Sequence, residues 1–198
     1  MVSVPTLPGT VGIFGGTFDP FHLGHVAAAD RARQSLGLER VLIVVANDPW
    51  QKSPGRAVSP ADERLAMARI GTEGYEHLEV SDLEVRRGGP SFTVDTVDEL
   101  AQHGVVLPWL VVGADLAGTL DTWERSDELR TKVRVAVLSR PGSPLRLPRG
   151  WRSVAIESDD LDISSSDLRR DVVRGETLVG RVPEGIIRHI AEKGLYAG

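Results

Sequence analysis

The chain predicts an α/β fold: a doubly wound, mainly parallel sheet followed by a small C-terminal helical part. Three observations carry that expectation. Short β-branched and apolar runs alternate with helix-favouring stretches, the pattern of βαβ units. The runs are apolar throughout, as in parallel strands covered on both faces. A glycine-rich turn separates the first apolar run from an alanine-rich helical stretch. Right-handed crossovers would then set the connecting loops along one edge of the sheet, at the carboxyl ends of its strands, where such sheets bind ligands.

Taken in order, residues 11–14 form the first strand and 26–36 the first helix, with an unusual turn between them. Residues 40–45 read as a buried strand, and a polar loop spans 46–58. Ser59 as N-cap and Pro60 in the first turn open a helix that runs to about Glu73 and stops at Gly74. A short strand is expected over 77–81. Ser91 or Thr93 would cap the next helix, whose stripe is Val94, Val97 and Leu100 or Ala101, ending near Gly104. Strands follow at 109–112 and 133–138, then an exposed loop over 140–150 rich in proline and glycine. After a last short strand at 154–156 the chain turns helical, and Pro183 with Glu184 starts a terminal helix that buries Ile186, Ile187 and Ile190. The whole is expected to be one domain over 1–198, with a sheet core at about 11–140 and the helical part at about 151–198.

Composition narrows the function. At 198 residues with 41% hydrophobic and 26% charged residues, the chain can build a substantial core of ordinary globular type. A formal charge of −5 argues against a general nucleic-acid binder. With no cysteine, disulfides, thiolate metal sites and a cysteine nucleophile are excluded. Neither a signal-peptide pattern at 1–12 nor an apolar run of spanning length is present, so no membrane partner is expected and the cytoplasm is the expected location.

The chemistry concentrates at two stretches. In Gly15-Gly16-Thr17-Phe18-Asp19-Pro20-Phe21-His22-Leu23-Gly24-His25, the paired glycines permit positive φ and let backbone approach a bulky ligand. A helix beginning near 19–22 would aim free N–H groups and its positive dipole end at the mouth of the turn, a phosphate site. His22 and His25, three residues apart, would share one helix face and reach the same anion. The second stretch is Ile163-Ser164-Ser165-Ser166-Asp167-Leu168-Arg169. A serine cluster there is first of all an N-cap, yet three hydroxyls with Arg169 one turn on also make a polyphosphate cradle.

Both stretches resemble the signatures of the nucleotidyltransferase superfamily, the first its His-x-Gly-His turn and the second its Ile-Ser-Ser-Thr-x-x-Arg motif, with Ser166 in place of threonine. Together they are most similar to the bacterial nicotinate mononucleotide adenylyltransferases. That resemblance implies a Rossmann-like fold and adenylyl transfer from ATP to nicotinate mononucleotide, with Mg²⁺ and release of pyrophosphate. It implies that His22, His25 and Arg169 are catalytic. It also implies that Phe14, Gly15, Gly16, Thr17 and 163–166 (Ile163, Ser164, Ser165, Ser166) hold ATP. Gly113 and Asp115 match the family's Gly-x-Asp, which meets the adenosine ribose; on residue type alone Asp115 is equally a helix cap. Thr93, in Pro90-Ser91-Phe92-Thr93, and Trp123 match positions that meet the pyridine carboxylate and ring. Where many relatives carry Pro-Pro-His-Lys, this chain has Pro49-Trp50-Gln51-Lys52. Lys52 would still reach a substrate phosphate, but the loop departs from the pattern.

Competing chemistries fare worse. There is no Gly-x-x-x-x-Gly-Lys-Ser/Thr and no Gly-x-Gly-x-x-Gly after a strand. His22 and His25 lack cysteine partners for zinc, and His77, His103 and His189 are scattered, so no resident metal site is expected. The alternatives are phosphopantetheine adenylyltransferase, against which His22 and Arg169 weigh, and a nucleotide-binding sensor without turnover. Oligomeric state, alone or as a homo-oligomer, and acid-versus-amide preference are left open by the sequence.

Overall fold

A computed structural model describes residues 10–49, 58–139, 147–158 and 163–197. The order of elements is β1 (Val11–Gly16), α1 (Leu23–Leu36), β2 (Arg40–Val45), α2 (Ala61–Gly71), β3 (Leu78–Ser81), α3 (Leu83–Arg87), α4 (Thr93–Gln102), β4 (Trp109–Gly113), α5 (Ala114–Ala117), α6 (Ser126–Lys132), β5 (Arg134–Ser139), β6 (Ser153–Glu157), α7 (Ser165–Val173) and α8 (Glu184–Lys193). A single 3₁₀ turn, Leu120–Thr122, lies between α5 and α6.

The six strands form one sheet in the order β3-β2-β1-β4-β5-β6, and every pairing is parallel. The expectation of a mainly parallel, doubly wound sheet therefore holds in the stricter form of an all-parallel one. The last short strand expected at 154–156 is β6, which pairs with β5 from Val135↔Ser153 to Ser139↔Glu157 and so carries the sheet past the 11–140 core. The segment after residue 150 thus adds a strand to the core before it turns helical.

Apolar side chains cover both faces. On one, Val94, Val97 and Leu100 of α4 and Leu129 of α6 pack on Val11, Ile13, Leu110, Val112 and Val135. On the other, Val26 and Ala29 of α1 join Met67 and Ala68 of α2, Leu168 of α7 and Ile186 and Ile190 of α8 over Val41, Ile43 and Val45. Small side chains on α1 let it lie close to the sheet, with Ala32 against Val111, Ala136 and Ile156. Gly37 in the left-handed region (φ 62°) ends α1, its N–H bonded to the Arg33 carbonyl.

The site is positioned where the strand order reverses. β1 and β4 pair only at Gly12↔Trp109 and Ile13↔Leu110, whereas β1 and β2 stay paired to Gly16↔Val45. Beyond Ile13 the neighbouring strands separate, opening a crevice at their carboxyl ends, the place where sheets of this topology bind ligands. Among the described residues no helix is long and apolar enough to cross a membrane.

Candidate active site

Two adjoining cavities occupy the crevice. The larger, of about 710 Å³, lies between the starts of α1 and α7 and the ends of β1 and β4. The smaller, of about 340 Å³, lies between β1, β4, α3 and the start of α4. They share Phe14, Thr17, Phe18, His25 and Gly113.

The glycine turn differs from its expected conformation. Gly15 and Gly16 are the last residues of β1, paired with Val44 and Val45, and positive φ falls instead on Phe18 (φ 51°). The glycines act by close approach. A Cβ on Gly16 would stand 2.7 Å from the Phe18 ring, and one on Gly15 would enter open space. The turn then folds Phe18 and Phe21 inward, and His22 becomes the N-cap of α1.

The histidines do share a face. Their rings stack with centroids 3.6 Å apart and an interplanar angle of 21°. His25 is bounded by Phe18 and Phe21 at centroid distances of 4.9 and 5.2 Å. The backbone N–H of His22 donates to His25 Nδ1 at 3.2 Å, so the neutral His25 ring carries its proton on Nε2. Burial pushes the His22 pKa down to about 4. Burial, and then the neighbouring His22, hold His25 well below the usual 6.5. Both rings are neutral at pH 7. Of the first N–H groups of α1, that of Leu23 donates to the Arg181 carbonyl at 3.0 Å and that of His25 to the His22 carbonyl at 2.9 Å, while Gly24 lines the larger cavity.

The second stretch closes the same cavity from the other end of the chain. Ile163, Ser164, Ser165, Ser166 and Arg169 all line it. Ser164 is the N-cap of α7 by position, without a side-chain cap bond. The hydroxyls are not equivalent: Ser165 donates to the Pro20 carbonyl at 3.0 Å, and Ser166 Oγ accepts from Arg169 Nη2 at 3.0 Å. Arg169 Nη1 donates to the Asp19 carbonyl. Ser165 therefore latches α7 onto the glycine turn, and the start of α7 and Arg169 stand in the cavity wall.

Gly113 and Asp115 sit where β4 runs into α5. A Cβ on Gly113 would lie 2.5 Å from Asp115 Oδ1, so only glycine lets that carboxylate fold over the strand end. Thr93 and Trp123 line the smaller cavity. Trp123 Nε1 donates to Thr119 Oγ1 at 3.1 Å, which fixes the indole plane. Neither Ser91 nor Thr93 caps α4: its N-cap is Phe92, and the Ser91 hydroxyl accepts the Asn47 N–H at 2.8 Å, tying the pocket wall to the end of β2. Likewise α2 starts one residue later than expected, with Pro60 as its N-cap. Lys52 lies outside the described residues.

Sequence reasoning missed several residues that shape the site. Arg64 on α2 is 1% exposed and donates to four carbonyls: Ser59 (2.8 Å), Thr17 (2.9 Å), Ala46 (2.6 Å) and Asn47 (2.9 Å). It pins the glycine turn to the loop after β2. Burial lowers its pKa, opposed by Asp19. Its one signal was a charge in phase with the buried Leu65, Met67 and Ala68. Glu84 on α3 is buried in the smaller cavity's wall and accepts from Thr96 Oγ1 at 2.6 Å, and Arg87 in turn donates to Thr96 at 3.1 Å. Asp19 is 3% exposed and is held by Tyr196 near the C-terminus.

Comparison with known proteins agrees with this geometry. The cytidylyltransferase-like family model matches residues 13–171. A probable nicotinate-nucleotide adenylyltransferase of Roseiflexus sp. is 39% identical over 194 residues, covering 94% of this chain and 97% of that protein. A Streptomyces coelicolor protein of the same name is 38% identical over 188 residues, covering 93% and 99%. Among solved structures, the Plasmodium falciparum nicotinic acid mononucleotide adenylyltransferase complexed with NaAD has the same fold, with a TM-score of 0.79 at 17% identity over 96% of this chain and 98% of that one. The chain belongs to the cytidylyltransferase-like family and, within it, to the nicotinate-nucleotide adenylyltransferases.

Proposed function

We propose that the protein transfers the adenylyl group of ATP to nicotinate mononucleotide, giving deamido-NAD and pyrophosphate. The observation that carries this reading is that His22, His25 and the α7 start with Arg169 line one cavity, which meets a second cavity at Thr17, His25 and Gly113. ATP would occupy the larger cavity, with its ribose at Asp115 and its phosphates between the two helix starts. The mononucleotide would occupy the smaller one, with its pyridine ring against Trp123 and its carboxylate near Thr93.

The mononucleotide phosphate is largely ionised near neutral pH, its second pKa being about 6, so no protein base is needed. One of its oxygens forms a bond to the α-phosphorus as the bond from that phosphorus to the bridging oxygen breaks, and pyrophosphate leaves with the electron pair. The chain's work is in-line positioning and stabilisation of charge on the phosphoryl oxygens. His25 Nε2–H, at the junction, suits the α-phosphoryl oxygens, and Arg169 with the α7 N–H groups suits the leaving phosphates. Among the described residues no three carboxylate or histidine side chains cluster in a metal-binding arrangement. Mg²⁺ would enter with the nucleotide and supply charge neutralisation at its phosphates.

The test is pyrophosphate release with ATP, Mg²⁺ and each acceptor in parallel: nicotinate mononucleotide, nicotinamide mononucleotide and phosphopantetheine. Release with the first supports the reading. Release only with phosphopantetheine, or with none, overturns it.

A further inference from the structure

Asp19 lies in the wall of the larger cavity together with Arg169, the cation to which the proposed function gives the nucleotide phosphates. A buried carboxylate in that place competes with phosphate for the guanidinium, since such pairs are strong, bidentate and little screened away from water. Both carboxylate oxygens are instead held on other partners. Oδ1 accepts the Tyr196 O–H at 2.7 Å, and Oδ2 accepts the Ser59 N–H at 3.3 Å. Arg169 meets residue 19 at its backbone carbonyl.

Tyr196 reaches this point from 177 residues further along the chain. It follows the left-handed cap Gly194 that ends α8 and is itself at φ 65°, a region that non-glycine residues seldom occupy. Its ring packs with the core shared by α2 and α8. Burial and the adjacent Asp19 both push the phenol pKa up, so the hydroxyl stays a donor. Were it missing, Oδ1 would be a buried acceptor without its partner. The guanidinium of Arg64 is already committed to four carbonyls, which leaves Arg169 to be captured.

We infer that Tyr196 is a positioning residue for nucleotide binding: by holding the Asp19 carboxylate away from Arg169, it leaves that guanidinium to the triphosphate. The inference rests on the proposed function only in taking ATP as the ligand of the larger cavity.

The test is calorimetric titration of α,β-methylene-ATP with Mg²⁺ into the wild type, Tyr196→Phe and the double variant Tyr196→Phe/Asp19→Asn, with thermal midpoints measured alongside. Tyr196→Phe should weaken binding about tenfold. The double variant, which has no carboxylate to capture Arg169, should return to within about threefold of the wild type. A purely structural tyrosine would give no such rescue. Wild-type affinity in Tyr196→Phe, or a double variant that binds no tighter than Tyr196→Phe whatever the midpoints, overturns the inference. No acceptor is present, so failure of the wild type to use nicotinate mononucleotide would count against the proposed reaction and not against this role.

Discussion

His25 reaches the junction of the two cavities with Nδ1 already occupied by backbone, so the one proton it can offer is on Nε2. Losing a donor aimed at transition-state charge costs about 10²–10³ in rate. His25→Ala should therefore fold with a lowered thermal midpoint, since the ring packs on His22, Phe18 and Phe21, and at temperatures where it is folded lose at least that order in kcat, measured by pyrophosphate release. Near wild-type turnover would remove the imidazole from the chemistry. His22 has a consequence for stability. Between its folded pKa of about 4 and the usual 6.5, the unfolded chain binds a proton that the folded chain does not. Stability from this group is thus full above about 6.5, declines as pH falls, and is gone below about 4, a span on the order of 3 kcal/mol. His25 is shifted in the same direction. Unfolding free energies from urea titrations at pH 6.5 and 4.5 should differ less in His22→Gln than in the wild type. Equal differences would contradict the burial assigned to this ring.

At the scale of elements, two residues hold the helices in register with the site. Arg64→Leu would leave four carbonyls without their donor, and a loss on the order of 3–5 kcal/mol is expected from chemical denaturation. A loss below about 1 kcal/mol would show that water replaces the guanidinium easily. Gly71 lets α2 lie against the glycine turn: a Cβ there would meet Phe21 Cδ1 at 2.4 Å and Ile186 Cδ1 at 3.1 Å. Alanine gains about 1 kcal/mol of helix propensity but overpacks at a cost of about 1–3 kcal/mol, so Gly71→Ala should lower the thermal midpoint. The same residues explain what the sequence disclosed. β2, β4 and β5 were legible as unbroken apolar runs, and α1 and α2 ended near the glycines that interrupt them. Helices α3, α5 and α6 were not, because short helices are held by partners distant in sequence. Arg125, beside α6, pairs with Asp95 (2.8 Å) and Asp98 (3.1 Å) of α4, contacts that no local pattern encodes. In the glycine turn the residues were readable and the backbone was not: strand pairing with β2 kept Gly15 and Gly16 extended and moved the left-handed residue to Phe18.

At the scale of the molecule, the reversal of strand order between β1 and β4 opens the crevice, and two segments some 140 residues apart close it, joined by the Ser165–Pro20 bond at 3.0 Å across 145 positions of sequence. Motif order predicted that both segments serve one site. The ties that shape the glycine turn, through Asp19, Arg64 and Tyr196, were hidden because each is a single polar residue drawn inward by tertiary packing. The most direct measurement is a crystal structure of the protein with α,β-methylene-ATP, Mg²⁺ and nicotinate mononucleotide. It should show the triphosphate within hydrogen-bonding distance of both His25 Nε2 and Arg169, and the pyridine ring on Trp123. Phosphates bound by only one of the two helix starts, or a mononucleotide outside the smaller cavity, would contradict a site built from both ends of the chain.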